Sequence, residues 1–201
     1  MKSEERQTIE EDAGLLRRLQ NGETAAFDVI FEKHRRGVFS YVRGMVNDNG
    51  LAEDIVQECF LELVKNIARI KPEQGAGGWL YRVARNRAID VLRARKNWFD
   101  SDKTELADKR PAEELADERP TPSENAVARE REANVRMALE MLPPKERDIL
   151  LLRYFGDLKF NDIAKLRRRP LGTVLWQATR SLEKIRLLLT EQNKFGNGEK
   201  K

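Results

Sequence analysis

Three stretches of the 201-residue chain gather one kind of chemistry on one side of a helix. Asp54, Gln57, Glu58 and Leu61 follow i, i+3, i+4, i+7 spacing and share a strip, with Glu62 and Lys65 beside it. A mostly acidic strip with one outward leucine suits docking on a basic helical surface of another protein. The same spacing also describes an ordinary solvated helix face. Gly78 to Lys96, GWLYRVARNRAIDVLRARK, holds six bases (Arg82, Arg85, Arg87, Arg93, Arg95, Lys96) against the single acid Asp90, with Trp79, Tyr81 and Asn86 among them. Arginines neutralise phosphates, while aromatic faces and an amide recognise bases of an opened strand. Trp79 is equally suited to burial against the preceding helix.

The third stretch, Phe160 to Leu189, has Val174, Ala178, Leu182, Ile185 and Leu189 as an inward stripe. That leaves Thr173, Trp176, Gln177, Arg180 and Lys184 outward. An arginine and a glutamine early on such a helix can bond guanine and adenine edges in a major groove, with Lys165, Arg167, Arg168, Arg169 and Arg186 on phosphates to either side. A basic amphipathic helix that binds a partner protein is the competing reading. Catalytic chemistry is poorly supplied. One cysteine, Cys59, excludes an internal disulfide and sits on a buried-looking face, which argues against thiol sensing. The one histidine, His34, lies among Lys33, Arg35 and Arg36 without an obvious acidic partner, so it makes a poor general base. We expect no enzyme activity, no metal and no cofactor.

These residues need helices to hold them. Leu15, Leu16 and Leu19 form a short apolar stripe before Asn21-Gly22. Phe27, Ile30, Phe31, Val38, Tyr41, Val42 and Met45 then recur at spacings of three and four, up to a break at 47–50. From Leu51, the residues Ala52, Ile55, Val56, Cys59, Phe60, Leu63 and Ile67 form one wide apolar face, with Glu53 and Asp54 in the first turn. A flexible loop over Lys71–Gly77 leads to a helix over Trp79–Lys96. Later helices are expected over Val127–Leu142, over Pro144–Phe155 with Gly156 as the cap, over Phe160–Arg167, and over Gly172–Glu191 after a turn at Arg168–Leu171. The short helix, turn and long helix have the form of a helix-turn-helix.

Lys and Arg total 38 against 34 for Asp and Glu, and 40% of residues are hydrophobic, enough for one or two modest cores. Between Asn97 and Asn125 nine acids face four bases, a charge of minus 5; with the whole chain at plus 4, the remainder carries plus 9. Pro111, Pro120 and Pro122 fall in this acidic stretch, which reads as an extended linker between two basic lobes. The expected fold is all-α, two small helical domains at 1–96 and 126–192, a linker at 97–125 and a disordered tail at 193–201. No apolar run approaches the roughly 20 residues that span a bilayer, and the N-terminus is too charged for a signal peptide, so a cytoplasmic location is expected.

In order and spacing, these blocks resemble the extracytoplasmic-function (ECF) sigma factors of bacterial RNA polymerase. AFDVIFEKHRRGVFSYVRGMVND and LAEDIVQECFLELVKN are similar to the first and core-binding helices of sigma region 2, and GWLYRVARNRAIDVLRARK to its minus-10 helix. LEMLPPKERDILLLRYFGDLKFNDIAKL followed by RRRPLGTVLWQATRSLEKIR is similar to region 4 with its minus-35 helix-turn-helix. The resemblance implies that Asp54, Gln57, Glu58 and Leu61 bind core polymerase. It implies that Trp79, Arg82, Arg85, Asn86 and Arg93 meet minus-10 DNA, with Asn86 at the position that helps capture a flipped base. Lys165, Arg167, Arg168, Thr173, Trp176, Gln177 and Arg180 would meet minus-35 DNA. It also implies promoter melting, a linker that threads toward the polymerase channels, an anti-sigma factor, and a monomer when free. Three departures from the family stand out: Lys159 where a Ser or Thr cap is usual, Arg168 in place of a turn glycine, and Leu175-Trp176-Gln177 in place of Lys-Ser-Arg. Trp176 suits a thymine methyl or another protein. An autonomous helix-turn-helix regulator is the alternative function.

Overall fold

The computed structural model describes residues 2–101 and 133–196, with side chains placed over 10–95 and 133–190. The described residues are helical with no strand, in two compact units. The first holds α1 (Lys2–Gln20), α2 (Ala25–Val46), α3 (Asn49–Asn66) and α4 (Ala76–Ser101). The second holds the body of α5 (133–140), α6 (Pro144–Tyr154), α7 (Phe160–Arg167) and α8 (Leu171–Gly196).

In the first unit α2 is the central helix, packed against α1, α3 and α4. Its apolar spacing buries Ala26, Ile30, Val38, Tyr41, Val42 and Met45, which meet Leu16 of α1, Ile55, Cys59, Phe60 and Leu63 of α3, and Leu80, Ala84 and Ala88 of α4 in one core. Each fully buried leucine or isoleucine stabilises by about 1.5–3 kcal/mol. Phe31 and Phe60 stand edge to face with ring centroids 4.8 Å apart. Cys59 is fully buried, and that burial pushes its thiol up to about 12. The α2–α3 corner turns at Asn47, in the left-handed conformation, and Asp48 caps α3 by accepting from Leu51 N at 3.0 Å. The cap starts α3 two residues earlier than the apolar face indicated.

The segment expected to be a flexible loop at Lys71–Gly77 is structured. Pro72–Gln74 form a 3-10 turn, Gly75 takes φ +69°, and α4 begins at Ala76. Gly77 N donates to Asp12 Oδ2 at 3.0 Å, and Asp12 also holds Lys33 Nζ (2.8 Å) and His34 Nε2 (2.9 Å). His34 therefore has an acidic partner after all, supplied by α1. Burial alone would raise the Asp12 carboxyl. The hydrogen bond and charge of His34, with Lys33 and the Gly77 amide, outweigh it and hold Asp12 at about 2, below the ordinary aspartate value of 3.8.

At its far end α4 runs to Ser101, five residues past the expected limit; the rest of the linker, over 102–125, lies outside the described residues. So does 127–132 of the helix expected over Val127–Leu142. In the second unit Leu142, Ile149, Leu151, Leu152, Ile163, Val174 and Ala178 form the core. Helix α6 ends at Tyr154, and the left-handed residue after it is Asp157, not Gly156. The inward stripe of α8 turns toward Ser181, which is fully buried with its hydroxyl donating to Gln177 O at 2.7 Å, whereas Leu182 is exposed. Ser181 lies seven residues beyond Val174, nearly two whole turns, while an eighth residue rotates off the stripe. Of the tail expected at 193–201, residues 193–196 belong to α8 and 197–201 lie outside the described residues. No helix among the described residues is long and apolar enough to cross a membrane.

Candidate polymerase and nucleic-acid interfaces

Helix α3 presents Asp54, Gln57, Glu58 and Leu61 together on its exposed side, with Leu61 54% exposed. The strip carries two features its spacing did not show. Val64, one turn beyond Leu61, is also exposed and widens the apolar part. Glu58 Oε2 is 3.3 Å from Arg87 Nε of α4, so one of the two strip carboxylates is partly offset. Both side chains are about half exposed, and such a pair contributes little to stability, about 0–1 kcal/mol. Asp54 is the carboxylate that remains for an incoming cation.

Along α4, Arg82, Asn86 and Arg93 are exposed at i, i+4 and i+11, on one side of the helix, and Arg85 is half-buried on the flank of that side. Arg93 carries a loose contact to Asp90 at 3.7 Å. Two aromatics singled out from the sequence go elsewhere. Trp79 is 8% exposed and belongs to the core, and Tyr81 is buried edge to face on Tyr41, ring centroids 5.7 Å apart, where burial pushes its hydroxyl well above the usual tyrosine range. Neither presents a free ring for stacking a base. Two of the six bases are also committed. Arg87 faces Glu58, and Arg95 donates to Val46 O (2.9 Å) and sits 3.1 Å from Asp48 Oδ2, which ties α4 to the α2–α3 corner. Among the bases whose side chains are described, Arg82 and Arg93 stand exposed around Asn86 with the half-buried Arg85 beside them, and the Lys96 side chain lies outside the described residues.

In the second unit α7 leads into α8 through a turn at Arg168. Arg168 adopts φ +52°, its N–H donates to Lys165 O (3.1 Å), and Arg169 N donates to Ala164 O (3.0 Å). These two bonds make a Schellman closure. The turn therefore keeps the geometry glycine would give, at a cost on the order of 1 kcal/mol for the arginine. Lys159, at the N-cap of α7, makes no side-chain cap bond. On α8, Thr173, Trp176 and Arg180 face outward. Trp176 is 59% exposed, and the Arg180 guanidinium lies over its ring at 5.2 Å, a cation–π pair one turn apart. Lys165 is exposed beside Asp162, at 3.6 Å.

Two other cations of this unit, Arg167 and Lys184, differ from the sequence reading, and a third, Arg147, is buried. The Arg167 side chain is 7% exposed, with Nε 3.2 Å from the buried carboxylate of Asp148. Nη1 of Arg167 donates to Gln177 Oε1 (3.1 Å) and Nη2 to Lys145 O (2.9 Å). It joins α6, α7 and α8 and does not reach toward a phosphate. Lys184, read as outward, bonds both oxygens of Glu146 at 2.7 and 2.9 Å. Arg147 donates to Glu140 O and Leu142 O at the end of α5. An arginine at a position of helical period reads as surface charge in a sequence. Only the carboxylate that meets it in three dimensions shows otherwise.

Comparison with known proteins identifies the two units. Residues 30–98 match the sigma-70 region 2 family, and residues 132–185 match the sigma-70 region 4 family. The RNA polymerase sigma-H factor of Pseudomonas aeruginosa is 32% identical over 180 residues, 89% of this chain and 93% of that protein. The ECF RNA polymerase sigma factor SigW of Bacillus subtilis is 25% identical over 178 residues, 88% of this chain and 95% of SigW. Among solved structures, CnrH in complex with the cytosolic domain of CnrY superposes with a TM-score of 0.66 at 18% identity, over 90% of this chain and 97% of CnrH. The sigma factor RpoE in complex with the anti-sigma factor NepR, from Bartonella quintana, gives 0.65 at 18% identity, over 82% of this chain and 96% of RpoE. The chain belongs to the ECF group of the sigma-70 family of RNA polymerase sigma factors, which are transcription initiation factors.

Proposed function

We propose that this sigma factor divides promoter recognition among the three exposed faces. Asp54, Gln57, Glu58 and Leu61, extended by Val64, dock on core polymerase. Arg82, Arg85 and Arg93 hold the backbone of the opened minus-10 strand while Asn86 meets a base, and α8 reads the minus-35 duplex. In that duplex Thr173, Trp176, Gln177 and Arg180 face base edges, and Lys165 and Arg168 face phosphates. Trp79 and Arg167 serve the two folded units and leave the contact surface. The region 2 unit takes in α4 to Ser101, beyond the expected limit at 96, and the acidic stretch that follows joins it to the region 4 unit at 126–192.

The observation that carries this reading is the coincidence of two sigma family regions, in order, with two helical units that each expose a helix face bearing cations and hydrogen-bonding side chains. An autonomous helix-turn-helix regulator has no use for the region 2 unit. The complexes of CnrH with CnrY and of RpoE with NepR support an anti-sigma partner for this chain as well, which would bind it as a cytoplasmic monomer. Promoter binding by holoenzyme at fixed salt tests the upstream face. Arg180→Ala removes both the base contact and the cation over Trp176, and affinity is expected to fall by about 1–3 kcal/mol. Unchanged binding would take Arg180 off the DNA face.

A further inference from the structure

Arg167 closes α7 with its guanidinium turned into the unit, between Asp148 of α6 and Gln177 of α8. A guanidinium has five N–H donors and no acceptor. The amide of Gln177 must therefore turn its oxygen to Arg167, as the 3.1 Å bond shows, and its Nε2 is the end left for another partner. Gln177 is half-buried, one turn beyond Thr173 and one turn before Arg180, on the edge of the face those residues present. The restraint is firm because Arg167 is held at three points, Asp148 Oδ2, Lys145 O and Gln177 Oε1. The Asp148 side chain is 2% exposed, so drawing Arg167 out toward a phosphate would strip a buried carboxylate of this counter-charge.

An unrestrained glutamine reads adenine with two bonds, accepting from N6 and donating to N7. With its oxygen bonded to Arg167 and turned toward that residue, the amide meets a base through its Nε2 donor. A lone donor fits guanine best in the major groove, because N7 and O6 both accept there and no base N–H of guanine competes. We infer that Arg167 is a positioning residue that sets specificity: it makes Gln177 a donor-only reader and moves the preference at the base pair Gln177 meets from adenine to guanine. The inference rests on the reading of α8 as the duplex-reading helix.

The test uses holoenzyme assembled from the full chain and bacterial core polymerase, with promoters varied one base pair at a time across the minus-35 element. Arg167→Lys keeps a cation beside Asp148 and lacks the planar fork that reaches Gln177. The adenine-to-guanine occupancy ratio at one position is expected to rise by about fivefold or more. Gln177→Glu keeps the Arg167 contact and abolishes the donor. The guanine preference at the same position should disappear in favour of cytosine, whose N4 donates. This second variant leaves the buried ion pair intact, so a folding defect in the first does not decide the outcome. A wild-type preference that both folded variants retain at every position overturns the inference. A wild-type holoenzyme indifferent to the whole element overturns the reading of α8, and the inference with it.

Discussion

Replacing Arg168 by glycine should make the second unit more stable while weakening its grip on DNA. The residue sits at φ +52° and its backbone bonds, Arg168 N to Lys165 O and Arg169 N to Ala164 O, do not depend on the side chain. A left-handed residue with a Cβ costs about 1–2 kcal/mol, and glycine gives back about 0.5–1 kcal/mol through its freer unfolded chain. The net gain is on the order of 1 kcal/mol, or about 4–8 °C in the melting of a unit this small. Native-state hydrogen exchange of the full chain resolves it: amides of α7 and α8 should slow by about fivefold, 1 kcal/mol, with those of α1 to α4 unchanged. In the same variant the holoenzyme loses one exposed cation, so the salt dependence of promoter binding should become shallower by about 0.9 in log–log slope. Faster or unchanged exchange in α7 and α8 would refute the strain argument, and an unchanged salt slope would remove Arg168 from the phosphate contacts.

Further outcomes follow from the first unit. Asp12, with its carboxyl lowered from 3.8 to about 2, stabilises the folded state by about 2 kcal/mol at neutral pH. Because the folded value is the depressed one, this contribution is complete above about pH 4 and is lost as pH falls toward 2. Asp12→Asn should therefore lower the urea midpoint at pH 7, with the gap to wild type closing as pH drops through that window; a pH-independent gap would contradict the ion-pair account. Arg95→Ala should cost about 1–2 kcal/mol by removing the bonds to Val46 O and Asp48, allowing for their partial exposure. Arg93→Ala should leave urea stability within about 0.5 kcal/mol and weaken open-complex formation instead. Equal loss of stability in the two variants would erase the distinction between structural and proposed DNA-contacting arginines on α4.

Much of this arrangement is legible from apolar spacing. The i, i+3, i+4 recurrence through α2 and α3 places Ile30, Val38, Val42, Ile55, Cys59 and Leu63 in one core, and the short helix, turn and long helix of 160–191 stand where the pattern puts them. Asp54, Gln57, Glu58 and Leu61 share a face for the same reason, since a helix has one period. What spacing does not show is pairing between distant residues. Asp12 meets His34 and Gly77 across separate helices, and Arg167 meets Asp148 inside the second unit. Each of these charges reads as surface in a one-dimensional pattern, because charged side chains are rarely buried without a partner. The Trp79 ambiguity has a similar origin: an aromatic at a helix start serves stacking or packing equally well until the neighbouring helix is in place. Ser181 shows a third limit, where helical phase outweighs residue type and a small hydroxyl takes the inward position in place of the adjacent leucine.

The most direct test of the central claim is a titration of the labelled full chain with purified bacterial core RNA polymerase at fixed salt, beside Asp54→Arg. Asp54 is exposed on the α3 face proposed to dock on core polymerase, so the substitution reverses a charge there without touching the core. Tight binding by the wild type, weakened at least tenfold in a variant whose circular dichroism is unchanged, is the expected result. A folded wild-type chain that fails to bind core, or a variant that binds it equally well, would contradict the placement of the polymerase interface on this face.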